Sequence, residues 1–370
     1  MNSASGTAQL RSVLLAGGGT AGHISPLLAT AQELAKRHPE ARITVLGSNG
    51  GLEERLVPAA GLDLRLIPKV AFPRRPSADA LRFPLALRDA VSRAGAIVDD
   101  VKPQVVVGFG GFVSPPAFAA ARKRKIPVVV HEQNARPGLA NRAGARLTPY
   151  VATTFRTTQL PHARVLGMPL RSEISQLVRS VGRAEARAFF GLQPGLPTVL
   201  VTGGSLGAAR INAAFADSAQ QLSSAGIQVL HVTGRGKEFD APATAGGVPY
   251  VVLPYVDRMD LAYVAADLAV TRAGAGMVCE LATVGLPAVF VPLPVGNGEQ
   301  RLNAAEMVAA GGAQLVPDEY FTAEWIDLQL IPLIKDDSRL DAMARAAHDG
   351  GHGSAAADLV TLIEQASARK

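Results

Sequence analysis

A histidine closes a run of glycines near the start of the chain: Gly17, Gly18, Gly19, Thr20, Ala21, Gly22, His23. Imidazole titrates near neutrality, so a histidine at the mouth of an anion-binding loop can take a proton from a hydroxyl. It can equally cap or pack a helical turn. Gly17, Gly19 and Gly22 satisfy G-x-G-x-x-G, a weak match until an acid is found at the end of the second strand to hold ribose hydroxyls. That strand reads as Arg42–Leu46, and Gly47, Ser48, Asn49 and Gly50 follow with no acid among them. The gap argues against an NAD-linked oxidoreductase.

Four further stretches suit an anionic, sugar-like ligand. GFGGFVSPP at Gly108–Pro116 follows a strand and precedes a helix, and its glycines are costly without a use. His131, Glu132, Gln133 and Asn134 form a polar cluster just after a very apolar strand, with at least one of them expected to be structural. GGSLGA at Gly203–Ala208 is a second strand-to-helix anion loop, with Ser205 as hydroxyl donor. TRAGAGMVCE at Thr271–Glu280 leads through Gly274 and Gly276 into a helix carrying Glu280, whose carboxylate can accept both hydroxyls of a ribose.

The elements that must position these residues alternate strand and helix. Val13–Leu15 is a short apolar run ending at glycine, as in a buried parallel strand. Ile24, Leu27, Leu28, Ala31, Leu34 and Ala35 then recur at helical spacing, with Pro26 placed in a first turn. Further strands read as Leu64–Ile67, Val105–Val107, Val128–Val130 and Tyr150–Thr154. A second series follows at Thr198–Thr202, Gln228–Val232, Val251–Leu253, Leu268–Thr271 and Ala288–Val291. TVLVTGGSLGA echoes SVLLAGGGTAG, so two doubly wound α/β sheets are expected, with ligand crevices at the carboxyl ends of their strands. Pro169 marks a boundary, which divides the chain into 1–168, 169–352 and a final amphipathic helix within 353–370.

At 370 residues two cores are the natural expectation. The single cysteine, Cys279, excludes an intrachain disulfide and fits a reducing cytoplasm. No Cys–His spacing or close acidic cluster offers a metal cage. No apolar run reaches the ~20 residues needed to span a bilayer, and the one near the N-terminus is too short for a secretory signal. Residues 1–170 hold 22 Lys/Arg against 10 Asp/Glu, whereas 171–370 hold 15 against 21. A basic half suits an anionic membrane or lipid. Nucleic acid is disfavoured because no basic helix or aromatic stacking module accompanies the charge. Lys69–Arg93 mixes Arg74, Arg75, Arg82, Arg88 and Arg93 with Phe72, Leu81, Phe83, Leu85 and Leu87, either a packed helix with a solvated face or an interfacial segment.

Taken in order, GGTAGHISP, GFGGFVS, HEQN, GMPLR, GGSLGA, TRAGAGMVCE and QRLNA resemble the MurG glycosyltransferases over nearly the whole chain. The resemblance implies a GT-B fold of two facing Rossmann-like domains with parallel sheets. The first domain would serve the acceptor and the membrane, and the second UDP-N-acetylglucosamine, with the last helix returning to the first domain. It implies transfer of N-acetylglucosamine to undecaprenyl-diphospho-N-acetylmuramoyl-pentapeptide, with inversion and without a cofactor or metal ligands. Thr20, Ala21 and Gly22 would line the cleft, with His23 as candidate base. Asn134 would contact the sugar, Arg171 the diphosphate region and Ser205 a phosphate. Val256 would hold uracil through its backbone, Glu280 the ribose, and Gln300 the sugar hydroxyls. Arg272 would steady the loop that includes Ala275 and Gly276. Implied surroundings are the cytoplasmic face of the cell membrane as a peripheral protein, cell-wall and division proteins, and no nucleic acid. Ala21, Phe112, Leu206, Ala273 and Glu299 depart from the family's usual Gly, Tyr, Gln, Ser and Gln, which affects single hydrogen bonds. Alternatives are a UDP-sugar epimerase or hydrolase on this fold, or a sugar-nucleotide-binding scaffold without catalysis.

Overall fold

The computed structural model describes residues 9–70, 78–203, 208–295, 297–349 and 353–368. The chain divides into two compact units, residues 1–171 with 354–370, and residues 172–353. Each is built on one all-parallel sheet.

Unit 1 holds strands β1 (Ser12–Ala16), β2 (Arg42–Ser48), β3 (Asp63–Ile67), β4 (Val105–Gly108), β5 (Val128–Glu132), β6 (Val151–Thr153) and β7 (Ala163–Val165) in the order β3-β2-β1-β4-β5-β6-β7. The central strands are buried on both faces, which is why they read as unbroken runs such as Val105–Val107 rather than as alternation. The chain reverses winding between β1 and β4, which pair with Ala16 opposite Gly108. Loops leaving the carboxyl ends of those two strands therefore diverge into a crevice, the place where open α/β sheets bind ligands.

Helix α1 (Ala21–Arg37) starts directly after the glycine loop. Pro26 lies in its second turn and not in its first, so the Gly22 carbonyl loses its helical donor there. Helix α2 (Glu53–Ala59) links β2 to β3, α3 (Ala78–Val101) links β3 to β4, and α4 (Ser114–Lys123) follows β4. The C-terminal helix Ala355–Ala368 belongs to this unit. Its Leu359, Val360, Leu362 and Ile363 enter the core with Val13, Leu15, Leu27 and Leu34. His38 Nε2 meets Glu364 Oε1 at 2.8 Å, and Arg37 donates to Thr361 Oγ1 at 3.0 Å.

Unit 2 holds β8 (Thr198–Thr202), β9 (Gln228–Val232), β10 (Tyr250–Leu253), β11 (Leu268–Thr271), β12 (Ala288–Phe290) and β13 (Ala313–Leu315), ordered β10-β9-β8-β11-β12-β13. The order of the first six strands of unit 1 is thus repeated, with the switch point between β8 and β11. A polar knot fixes β9 in this core: Asn212 Oδ1 and Tyr250 Oη lie 3.1 and 2.9 Å from the two nitrogens of His231. Burial drives the His231 pKa down to about 3, so the ring is neutral.

Candidate active site

In unit 1 the loops after β1 and β4 are pressed together. Gly110 and Gly111 adopt φ of +96° and +79°, and a Cβ on Gly111 would lie 2.6 Å from the Gly18 carbonyl oxygen. Only glycine satisfies both demands. The Ser114 hydroxyl donates to the Gly110 carbonyl at 2.8 Å and accepts from the Gly110 amide at 3.0 Å, which locks the second loop. The His23 ring lies against it, because a Cβ on Gly110 would sit 3.1 Å from His23 Nε2.

His23 Nδ1 lies 3.1 Å from the Gly18 carbonyl and 3.2 Å from Thr20 Oγ1. A carbonyl only accepts, so the proton resides on Nδ1 and the lone pair of the neutral ring is on Nε2. Glu53, fully buried at the start of α2, reaches back to the glycine loop. It accepts from the amides of Gly19 and Ser48, both at 2.9 Å, and from the Ser48 hydroxyl at 3.0 Å. An acid therefore does follow β2, three residues beyond the Gly47–Gly50 stretch where a ribose ligand would stand. It holds the chain's own backbone.

The HEQN stretch is partly strand, because β5 runs through Glu132. His131 Nε2 donates to the Gly167 carbonyl at 3.0 Å, and Nδ1 accepts from Gln133 Nε2 at 3.2 Å. Burial lowers its pKa to about 4, so His131 is a neutral structural ring. Burial raises the Glu132 pKa against the N–H donors of Asn134, Gly138 and Asn141, two backbone amides and one side chain, each within 3.0 Å. Asn134 is thereby held by its own backbone amide. Arg171 is exposed at the end of this unit.

In unit 2, Arg272 to Gly276 leave the end of β11. Arg272 is buried, and its Nη1 donates to the carbonyls of Val291 at 3.0 Å and Pro292 at 3.3 Å and to Asp318 Oδ1 at 2.5 Å. Asp318 also accepts from Arg210 Nε at 2.9 Å. Gly274 caps the helix Ala275–Val284, whose first residues are Ala275 and Gly276. Glu280 lies on that helix, half-buried, and accepts from the Tyr263 hydroxyl. Gln300 is the second residue of the helix Glu299–Ala309 and accepts the Leu293 amide at 2.9 Å, which fixes its amide with Nε2 as the remaining donor. Asn303 donates to the Ala273 carbonyl at 3.3 Å, tying the two loops. Val256 is buried in the turn after β10.

Residues 13–153 match the model of the glycosyltransferase family 28 N-terminal domain, and residues 198–363 that of its C-terminal domain. Over 337 residues the chain is 57% identical to the UDP-N-acetylglucosamine–N-acetylmuramyl-(pentapeptide) pyrophosphoryl-undecaprenol N-acetylglucosamine transferase of Nocardioides sp. (strain ATCC BAA-499 / JS614), covering 90% of this chain and 92% of that one. A relative of the same name from Leifsonia xyli subsp. xyli is 53% identical over 95% of this chain and 97% of its own. The crystal structure of Acinetobacter baumannii MurG superimposes with a TM-score of 0.76 at 29% identity, covering 96% and 99%. The chain belongs to the MurG family.

For a MurG family member, the fold brings the expected residues together in two groups. Thr20, Ala21, Gly22 and His23 surround the unit 1 switch point. Arg272, Ala275, Gly276, Glu280 and Gln300 gather beside that of unit 2. Ser205 and Leu206 lie outside the described residues, as do Arg74 and Arg75. Three supporting side chains escaped sequence reading: Glu53, Tyr263 and Asp318. Only Glu53 had a local signal, an acid closely preceded by Gly47, Gly50 and Gly51.

Proposed function

We propose that the chain transfers N-acetylglucosamine from UDP-N-acetylglucosamine to undecaprenyl-diphospho-N-acetylmuramoyl-pentapeptide, a step of peptidoglycan synthesis. The observation that supports this chemistry most is His23, whose Nδ1–H is committed to the Gly18 carbonyl while Nε2 carries the lone pair. In this reading the acceptor hydroxyl attacks the anomeric carbon as its proton passes to Nε2. The bond from that carbon to the diphosphate breaks on the opposite face, and UDP departs with the electron pair. Inversion follows.

Unit 2 takes the donor. Glu280, already polarised by Tyr263, accepts the ribose hydroxyls, the Val256 backbone meets uracil, and Gln300 Nε2 donates to the sugar. The helix start at Ala275 and Gly276, together with Ser205 and Arg171, stabilises negative charge growing on the diphosphate, with Arg272 fixing the loop. Unit 1 takes the lipid acceptor, lined by Thr20, Ala21 and Gly22, with Asn134 placed for a sugar contact. Incubation with UDP-N-acetylglucosamine and the lipid acceptor should yield the disaccharide lipid with a β linkage by mass spectrometry and NMR. Free N-acetylglucosamine or an epimerised nucleotide sugar as sole product would overturn the reading.

A peripheral place on the cytoplasmic leaflet, in the company of cell-wall and division proteins, suits this acceptor. Among the described residues no helix is long and apolar enough to cross a membrane. Leu85 of α3 is 71% exposed, with Arg82 and Arg88 exposed three residues to either side, and Lys69 Nζ lies 5.2 Å above the half-exposed ring of Phe112. Each such cation contributes about 1 kcal/mol at an anionic surface. Arg82→Glu with Arg88→Glu should lower sedimentation with anionic vesicles roughly ten-fold or more at low salt. Equal sedimentation of variant and parent would remove α3 from the membrane surface.

A further inference from the structure

The peptide group joining Gly18 to Gly19 has a carboxylate on one side and an imidazole on the other. Its N–H donates to Glu53 Oε2 at 2.9 Å, and its carbonyl accepts from His23 Nδ1 at 3.1 Å. We infer that Glu53 is a positioning residue for His23, acting through this one peptide as the buried acid of a hydrolase triad acts directly on its histidine. The inference rests on the reading of His23 as the base.

Packing shows that the glycine loop is shaped around this carboxyl group. A Cβ on Gly18 would lie 2.2 Å from Glu53 Oε1, one on Gly47 2.7 Å from Cγ, and one on Gly51 2.0 Å from Oε2. One acid thus occupies the side-chain space of three glycines. The Gly19 amide, pointed at Glu53, is not offered to a ligand phosphate. What the loop presents instead is the Gly18 carbonyl, confined by Gly111 on its far side.

Charge carries the second half of the argument. Burial alone raises the Glu53 pKa, yet the hydrogen bonds from Gly19 and Ser48 outweigh it and hold the group below the ordinary carboxylate value. Among the described residues its partners are all neutral, and Glu54, next on α2, turns to the Gly50 amide at 2.9 Å. The unpaired negative charge therefore acts on the peptide. It polarises the Gly18 carbonyl, strengthens the bond from Nδ1–H, and favours the imidazolium formed when Nε2 takes a proton. Near the ring stand the Thr20 hydroxyl, the Gly110 backbone and the Asn141 amide, which in turn donates to the buried Glu132 carboxyl at 3.0 Å.

The test is Glu53→Gln, which keeps the shape and removes the charge. In an NMR titration the His23 midpoint should fall by about one pH unit. The acidic limb of kcat should move down with it, and kcat itself should drop by up to about ten-fold, the most that a base one pKa unit weaker loses by Brønsted behaviour. Affinity for UDP-N-acetylglucosamine stays the same. Added to His23→Ala, the change should cost nothing further, since both act through one ring. A folded Glu53→Gln with an unmoved His23 midpoint, or rate losses that multiply with those of His23→Ala, would overturn the relay. Should Glu53→Gln fail to fold, Gly18→Ala displaces the carboxylate with a methyl group and must lower the same midpoint. His23→Ala at parental rate would instead defeat the base assignment alone, because the NMR midpoint reads the relay without turnover.

Discussion

The two switch points have the same topology and opposite support. Beneath the unit 1 loop lies a carboxylate, Glu53, fed by neutral donors. Beneath the unit 2 loop lies a guanidinium, Arg272, held by Val291, Pro292 and Asp318. The winding of the sheet decides where loops gather, and the buried charge beneath decides what they can hold. A negative support favours a group that becomes positive, as a base does on taking a proton. In unit 2 Asp318 balances Arg272, and Arg210 on the same carboxylate leaves the cluster one charge positive, which suits the diphosphate of a nucleotide sugar.

Removing the counter-charge in unit 2 should have the largest effect on stability. Arg272 and Asp318 keep only 9% and 11% of their side-chain surface. Asp318→Asn leaves the guanidinium without its charged partner, a change of about 3 kcal/mol in buried pairs. Denaturant titration should show that loss, with donor affinity falling beside it. Stability within about 0.5 kcal/mol of the parent would mean that the Val291 and Pro292 carbonyls hold Arg272 alone.

Next comes the ribose contact. Glu280→Ala should weaken UDP-N-acetylglucosamine binding by roughly 1.5–3 kcal/mol, the scale of a charged hydrogen bond. Calorimetry on the folded variant reads this directly. An unchanged Kd would return Glu280 to a structural role with Tyr263.

A smaller contrast is acid sensitivity. The buried rings of His131 in unit 1 and His231 in unit 2 have folded-state pKa values of about 4 and about 3, below the ordinary 6.5. The unfolded chain therefore binds protons first. Stability is full above pH 6.5 and is lost as pH falls, toward 4 in unit 1 and toward 3 in unit 2. At pH 5 each ring costs about 2 kcal/mol. Denaturant midpoints at pH 7 and pH 5 should differ accordingly, and identical midpoints would mean that the rings protonate in place.

The parallel sheets were legible because their strands are apolar throughout and end at glycine. Val105–Val107 and Thr198–Thr202 need no partner to be recognised. Edge strands β7 and β13 were not, since Ala-Arg-Val and Ala-Gln-Leu carry no apolar run and lean on β6 and β12 for their hydrogen bonds. The polar cluster at His131–Asn134 read as lying after the strand with at least one structural member; its first two residues are strand, and its histidine is structural as expected. Supports with long sequence separation were out of reach. Asp318 lies 46 residues from Arg272, and Tyr263 lies 17 from Glu280 on another helix. Glu53 was passed over because an acid beyond β2 was expected to face a ribose, whereas it turns inward to the loop.

The division of labour between a base in unit 1 and a donor site in unit 2 is tested most directly by His23→Ala, measured for turnover and donor affinity together. With the lipid acceptor saturating, kcat should fall about 10²–10⁴-fold, as when a general base is removed. The calorimetric Kd for UDP-N-acetylglucosamine should match that of the parent. A variant turning over within a few-fold of the parent, or one that loses donor binding instead of rate, would contradict the account.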